Sequence, residues 1–427
     1  MHRMCLARLA FLVPIALAGC RKEPAAPAAS AVEPIAPAAP PDLLARGRYV
    51  ATISGCVICH TPMVAGRPDR DRLFAGGLEE RLNGGVWRSP NITPDRETGI
   101  GSWTEEDLRR ALREGIAADG RHLFPAFPYP FYTRLSDGDI ADLYSFLRTL
   151  KPVSYVPPDN GRAFRMRWPM ATWKALNLVV GAYRPDAAQS AEWNRGAYLV
   201  QGPGHCGACH TPRDWSLATQ SSEPLRGAVM HDEVQGGGVR DWFAVDLRAT
   251  TQGLAGWKTE DIVDYLGKGA SARAGSFGPM NAVIANSTRH LRSEDLRAIA
   301  VYLQSLRGTD YAGEAVSAEA AQAGEPLYAK NCRECHGPSG RGGPFDGPPL
   351  AGSAIVRGED AASLINIILY GSDRSADIGS PSWEAMPAYA LKFTDAEIAG
   401  LSNFLRASWG NRAAPVTVEQ VARQRGP

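Results

Sequence analysis

The sequence predicts an all-α fold of three tandem domains with long Gly/Pro-rich loops, and three observations carry that reading. A Cys-x-x-Cys-His motif occurs at residues 56–60, 206–210 and 332–336, about 150 and then about 126 residues apart, which marks three homologous units strung like beads on a chain. Each unit closes on apolar residues at helical spacing: Ile140, Leu143, Tyr144 and Leu147; Leu296, Ile299, Ala300 and Leu303; Ile398, Leu401 and Leu405. Strand signals are weak throughout, and 427 residues exceed what one ordinary core supports.

Residues 1–19 place His2, Arg3 and Arg8 ahead of an apolar run from Leu9 to Ala18, the pattern of an export signal too short to span a bilayer. Leu17-Ala18-Gly19-Cys20 resembles a bacterial lipobox. Cleavage before Cys20 would leave a thiol for diacylation, anchoring the chain by lipid on the periplasmic side of a bacterial membrane; an ordinary signal peptide with an incidental Cys20 is the alternative. Residues 20–41, rich in Ala and Pro, bury too little to fold and read as a disordered tether.

Domain 1, residues 42–157, opens on a helix carrying Arg46-Gly47-Arg48-Tyr49, and Thr104-x-x-Asp107 and Ser136-x-x-Asp139 start its later helices. Residues 158–185 form a linker whose Arg165–Met170 and Trp173–Val180 stretches predict either a helix packed between domains or a membrane or partner contact. Domain 2, residues 186–310, opens on Arg195-Gly196-Ala197-Tyr198. Domain 3, residues 318–412, opens on Gly324-Glu325-Pro326-Leu327-Tyr328, has Thr394-x-x-Glu397 at its final helix, and is followed by a polar tail, 413–427. The 46 Lys and Arg nearly cancel the 45 Asp and Glu, so nothing in the charge calls for nucleic acid.

The eight cysteines sort completely: Cys5 goes with the leader, Cys20 with the lipid, and six form three equally spaced pairs, leaving none for a disulfide. Cys56-Val57-Ile58-Cys59-His60, Cys206-Gly207-Ala208-Cys209-His210 and Cys332-Arg333-Glu334-Cys335-His336 match the attachment signature of c-type haem. Two thiols one helical turn apart reach the two vinyl groups, and the next residue sets its imidazole beneath the iron. Three covalent haem c groups are expected, on Cys56/Cys59, Cys206/Cys209 and Cys332/Cys335, with His60, His210 and His336 as proximal ligands and each domain a class I cytochrome c. A thioredoxin-like pair would need a βαβ setting, and a zinc ribbon would place its two Cys pairs about 15 to 20 residues apart.

Electron-transfer cytochromes favour a thioether as sixth ligand, because it stabilises ferrous iron and raises the potential. Met280, in Gly278-Pro279-Met280, and Met386, in Glu384-Ala385-Met386-Pro387, precede the final helices of domains 2 and 3. Met230 competes in domain 2 but lies too early in the repeat. Domain 1 reads Leu123-Phe124-Pro125-Ala126-Phe127-Pro128-Tyr129 at this place, and its only methionine, Met63, follows His60 by three residues on the proximal side. Its iron is five-coordinate or water-bound, or is ligated by His122, Met166 or Met170.

With these residues in view, the chain resembles the triheme cytochrome c subunit of membrane-bound alcohol, gluconate, sorbitol and related dehydrogenases. The resemblance covers the chain after the tether and rests on Ser89-Pro90-Asn91-Ile92-Thr93-Pro94-Asp95 with Thr98-Gly99-Ile100-Gly101, on Ala191–Val200, and on Ser408-Trp409-Gly410-Asn411. It implies that a quinone-, flavin- or molybdenum-dependent catalytic subunit oxidises the substrate and that this chain passes the electrons to membrane quinone or a terminal oxidase. It carries over His60, His210, His336, Met280 and Met386 as axial ligands. Three departures stand out: Phe127 where the family usually has Met, Trp242–Leu247 where an Asn-Ile-Thr element is common, and a polar 413–427 in place of a C-terminal membrane segment.

Two function classes remain open. An electron-transfer subunit without substrate chemistry is favoured, because no Ser/His/Asp set, nucleotide loop or free carboxylate pair stands out. A peroxidase-like haem enzyme is the alternative, and the missing thioether in domain 1 is its only support.

Overall fold

The computed structural model describes residues 43–64, 67–82, 85–158, 160, 167–233, 239–311, 313–343, 347–372, 383 and 385–426. The leader, Cys20, the tether and Met166 lie outside the described residues. The first segment comprises α1 (Leu43–Ile53), α2 (Cys56–Cys59), a hairpin of β1 (Met63–Val64) and β2 (Arg67–Pro68), and a second hairpin of β3 (Glu79–Leu82) and β4 (Gly85–Arg88). It continues through α3 (Glu105–Glu114), α4 (Tyr129–Tyr132) and α5 (Asp137–Leu147), with α6 (Arg167–Asn177) following in the linker.

The second segment holds α7 (Ala191–Gln201), α8 (Gly207–His210), a hairpin of β5 (Ala228–Glu233) and β6 (Val239–Ala244), then α9 (Thr259–Lys268), α10 (Pro279–Asn286) and α11 (Ser293–Ser305). The third contains α12 (Ala318–Gln322), α13 (Glu325–Asn331), α14 (Arg333–His336), α15 (Ala354–Arg357), α16 (Ala362–Tyr370), α17 (Asp395–Ala407) and α18 (Val418–Arg425).

In each segment the opening helix packs across a later one, α1 on α5, α7 on α11 and α12 on α17, and a glycine at or near the crossing permits the close approach each time. A Cβ at Gly47 would stand 2.0 Å from the Asp142 carbonyl oxygen on α5, one at Gly196 1.9 Å from that of Ala298 on α11, and one at Gly324 2.1 Å from that of Gly400 on α17. Any side chain there would force the helices apart. Thr104 and Thr394 form capping boxes with Asp107 and Glu397, and the Ser136 hydroxyl accepts from the Asp139 amide, so these helices start where their sequences predict.

The fold departs from the all-α expectation in three antiparallel hairpins among the described residues. They are short and bordered by glycine, so the alternation that announces a strand never runs long enough to register. β6 is an edge strand, and the third segment covers that edge. Ser363 accepts from the Phe243 amide at 2.8 Å and donates to its carbonyl at 3.0 Å, Asn366 donates to the Asp241 carbonyl, and Gln424 accepts from the Asp241 amide. Gln424 belongs to α18, so the polar stretch 413–427 is in large part a docked helix with Val421 fully buried.

The first two segments are more closely joined than beads on a chain. One apolar core runs from Val50 through Leu143 and Leu199 to Leu303, whereas the third segment has its own core around Ile365, Leu369 and Leu401. Across the first junction the contacts are reciprocal. The Tyr49 hydroxyl donates to Asp295 at 2.5 Å and accepts from the Arg292 amide; the Tyr198 hydroxyl donates to Asp139 and accepts from the Ser136 amide. Tyr49 and Tyr198 hold the same place in their repeats, as do Asp139 and Asp295, so the two segments meet about a pseudo-twofold axis, as two copies of one subunit do in a symmetric dimer.

Candidate functional site

The three Cys-x-x-Cys-His motifs each form one helical turn, with the histidine amide donating to the first cysteine's carbonyl: His60 to Cys56 at 2.9 Å, His210 to Cys206 at 3.0 Å, His336 to Cys332 at 2.9 Å. That turn sets both thiols of a pair on one side, with the imidazole following. The ring Nδ1 then meets a backbone carbonyl farther along: Pro90 for His60 at 2.7 Å, Val245 for His210 at 2.7 Å, Pro348 for His336 at 2.9 Å. A carbonyl only accepts, so Nδ1 holds the proton and Nε2 keeps its lone pair for a metal. The histidine carbonyl in turn accepts from the amides of Gly76, Gly227 and Gly342 at 2.7, 2.8 and 3.0 Å.

Burial reinforces this state. It lowers the pKa of His60 to about 4 against the opposing effect of the Pro90 hydrogen bond, and shifts His210 and His336 in the same direction. Neutral imidazole is the ligating form. Burial also pushes the Cys56 and Cys206 thiols up to about 12 and Cys332 to about 11, so these three stay protonated at neutral pH. Among the described residues, no group of three or more His, Cys, Asp or Glu side chains is arranged to hold a bare metal ion.

Met280 lies half-buried in the first turn of α10. The loop before it is fixed by Trp242, whose ring would stand 2.6 Å from a Cβ at Gly278, a residue at φ 57°. The Trp242 Nε1 is buried without a hydrogen-bond partner, and a carboxylate such as a haem propionate would satisfy it. The residues present therefore fit the group. Met386 packs on the third core, its amide donating to Ser372 at 2.8 Å; three residues on, the Tyr389 hydroxyl donates to Asn331, beside Cys332. Met230 lies on β5 opposite Trp242, and Met63 stands 47% exposed on β1.

In the first segment Phe127 takes the place of Met386. Its ring is 5.5 Å from that of Tyr132, whose hydroxyl donates to the Ser54 carbonyl two residues before Cys56, much as Tyr389 does beside Cys332. The first and second attachment turns also adjoin. His205, just before Cys206, stands T-shaped on Tyr132 with its Nε2 3.4 Å from the Ser54 carbonyl oxygen, and α10 packs on α2.

Sequence reasoning missed the carbonyl partners, His205 and Trp242. Pro90 and Pro348 border recognisable turns, but Val245 carries no local signal, since any residue offers a carbonyl.

A family model described as cytochrome c matches residues 44–151, and one described as cytochrome c oxidase, cbb3-type, subunit III matches 319–405. The cytochrome c subunit of the quinone alcohol dehydrogenase of Gluconobacter oxydans is 39% identical over 395 residues, 88% of this chain and 80% of that one. The gluconate 2-dehydrogenase cytochrome c subunit of Pantoea cypripedii is 36% identical, covering 90% of this chain and 89% of its own length. The fructose dehydrogenase cytochrome subunit of Gluconobacter japonicus is 34% identical, covering 90% and 82%. Together with the attachment turns, these relatives show that the chain belongs to the cytochrome c subunits of dehydrogenases, a family whose part is electron transfer.

Proposed function

We propose that the chain carries three haem c groups and relays electrons from the catalytic subunit of a dehydrogenase to the respiratory chain, through membrane quinone or a terminal oxidase. The observation that carries the count is the recurrence, around His210 as around His60 and His336, of the same carbonyl at Nδ1 and the same glycine amide at the histidine carbonyl. That recurrence supports reading the middle segment as a third cytochrome c domain beside the two that the family models match. Haem c would supply one-electron chemistry at each site. The chain's own residues would hold it: the six cysteines through thioethers, His60, His210 and His336 as proximal ligands, and Met280 and Met386 as distal ligands in domains 2 and 3. The contact of His205 with Ser54 supports direct exchange between the first two sites. Substrate oxidation belongs to the partner, as the names of the relatives suggest for theirs.

A pyridine haemochrome assay on purified holoprotein is expected to give three haems per chain. A count of two would overturn the assignment of one domain.

Lipid attachment at Cys20 would hold the chain at the periplasmic face of the membrane. No helix among the described residues is long and apolar enough to cross a bilayer, and a diacyl chain supplies an anchor. Cys20→Ser is expected to move the protein from the membrane to the soluble periplasmic fraction. Unchanged membrane association would sink the lipid anchor and leave the 158–185 segment or a partner subunit in its place.

A further inference from the structure

We propose that Met170 of α6 is the sixth ligand of the haem on Cys56 and Cys59, an assignment that rests on the three-haem reading above. Phe127 occupies the place of the thioether in Ala126-Phe127-Pro128, against Ala385-Met386-Pro387 in the third segment, and a phenyl ring has no lone pair to give. The ring packs on the first core beside Tyr132, so the loop has not swung away to let another part of itself in.

The remaining sulfurs narrow quickly. Of the eight methionines, Met1 and Met4 belong to the leader, Met63 is exposed on the proximal hairpin, Met230 is on a strand of the second segment, and Met280 and Met386 serve the other two sites. Met166 and Met170 are left, both in the linker.

The linker helix lies on the distal loop of the first segment. Lys174 Nζ donates to the carbonyls of Glu114 at 2.6 Å and Gly115 at 3.0 Å, where that loop begins. The Trp173 ring stands edge-on to Tyr129 at 6.5 Å, where the loop ends, two residues after Phe127. Met170 precedes Trp173 and Lys174 by three and four residues and so shares their face of α6, half-buried. Long side chains on helices lean toward the helix N-terminus.

At residue 160 the chain is tied to the proximal wall, where Asn160 accepts from the Arg88 amide at 2.6 Å and donates to the Arg88 carbonyl at 2.9 Å. Arg88 lies two residues before Pro90, the partner of His60. Asn160 thus lies on the His60 side of the site and Trp173 and Lys174 on the distal loop, with Met170 one turn of α6 before them. A thioether from here would give the first haem the same ligand pair as the other two, and the peroxidase-like alternative would lose the open iron it needs.

The test uses purified holoprotein. Wild type is expected to show three low-spin haems with sulfur-to-iron charge-transfer absorption and no binding of cyanide or carbon monoxide. Met170→Leu, which keeps the side-chain volume, is expected to retain three haems by haemochrome assay, lose one third of that absorption, admit carbon monoxide at one ferrous haem, and shift one of three redox waves to lower potential. Met170→His is expected to stay low-spin without the lost absorption, which separates ligation from packing. Full charge-transfer absorption in Met170→Leu, the same loss in Met166→Leu instead, or a wild type with only two sulfur-ligated haems would each overturn the proposal. A haemochrome count of two in wild type would instead fault the three-haem reading itself.

Discussion

Asp295→Ala is expected to destabilise the holoprotein by about 3–5 kcal/mol, the cost of leaving a buried charge without its partner. The Asp295 side chain is 3% exposed and receives two hydrogen bonds from Arg195, at 2.7 and 2.8 Å, besides the Tyr49 hydroxyl from across the junction. Removing it strands the Arg195 guanidinium and unties the first segment from the second. Denaturant melts followed by Trp fluorescence read the loss as a lower midpoint, and a shift below about 1 kcal/mol would mean the pair is solvated. The same site predicts acid sensitivity. Burial raises the Asp295 pKa, but the Arg195 hydrogen bonds and charge outweigh it and hold the carboxyl below its ordinary value. A depressed folded pKa adds stability above the unfolded value of about 4, and that contribution is lost as pH falls through the folded value. Asp295→Asn should flatten this acid limb of the stability curve.

Cys206→Ala is expected to lower the haemochrome count from three to two and to cost more than about 4 kcal/mol in the first transition of a thermal melt. A single thioether would hold the group less firmly, and on the three-haem reading the second segment packs around it. Because the first two segments share one core, both should loosen together, while the third keeps its own transition. Cys332→Ala should do the reverse, affecting the third transition alone. Equal damage to all transitions from either variant would contradict the division into two cores.

The chemistry of the attachment sites was legible along the chain because it is local. Two cysteines and a histidine in one turn carry their geometry in their spacing, and three such turns in register with a repeat leave little room for another reading. The helix starts at Thr104, Ser136 and Thr394 were legible for the same reason: donor and acceptor lie three residues apart.

What the sequence by itself determined, then, was the three Cys-x-x-Cys-His turns and the helices that frame them. Only the tertiary structure decided what lies between the repeats: that Tyr49 reaches Asp295 and Tyr198 reaches Asp139, that β6 is capped by Ser363, Asn366 and Gln424, and that α6 rests on the loop holding Phe127. These contacts join residues many tens to more than two hundred positions apart, several through backbone carbonyls and amides that every residue possesses. No residue type announces them, because the free energy that selects them comes from burying apolar surface and satisfying polar groups across a shared interface, which exists only once the segments have met.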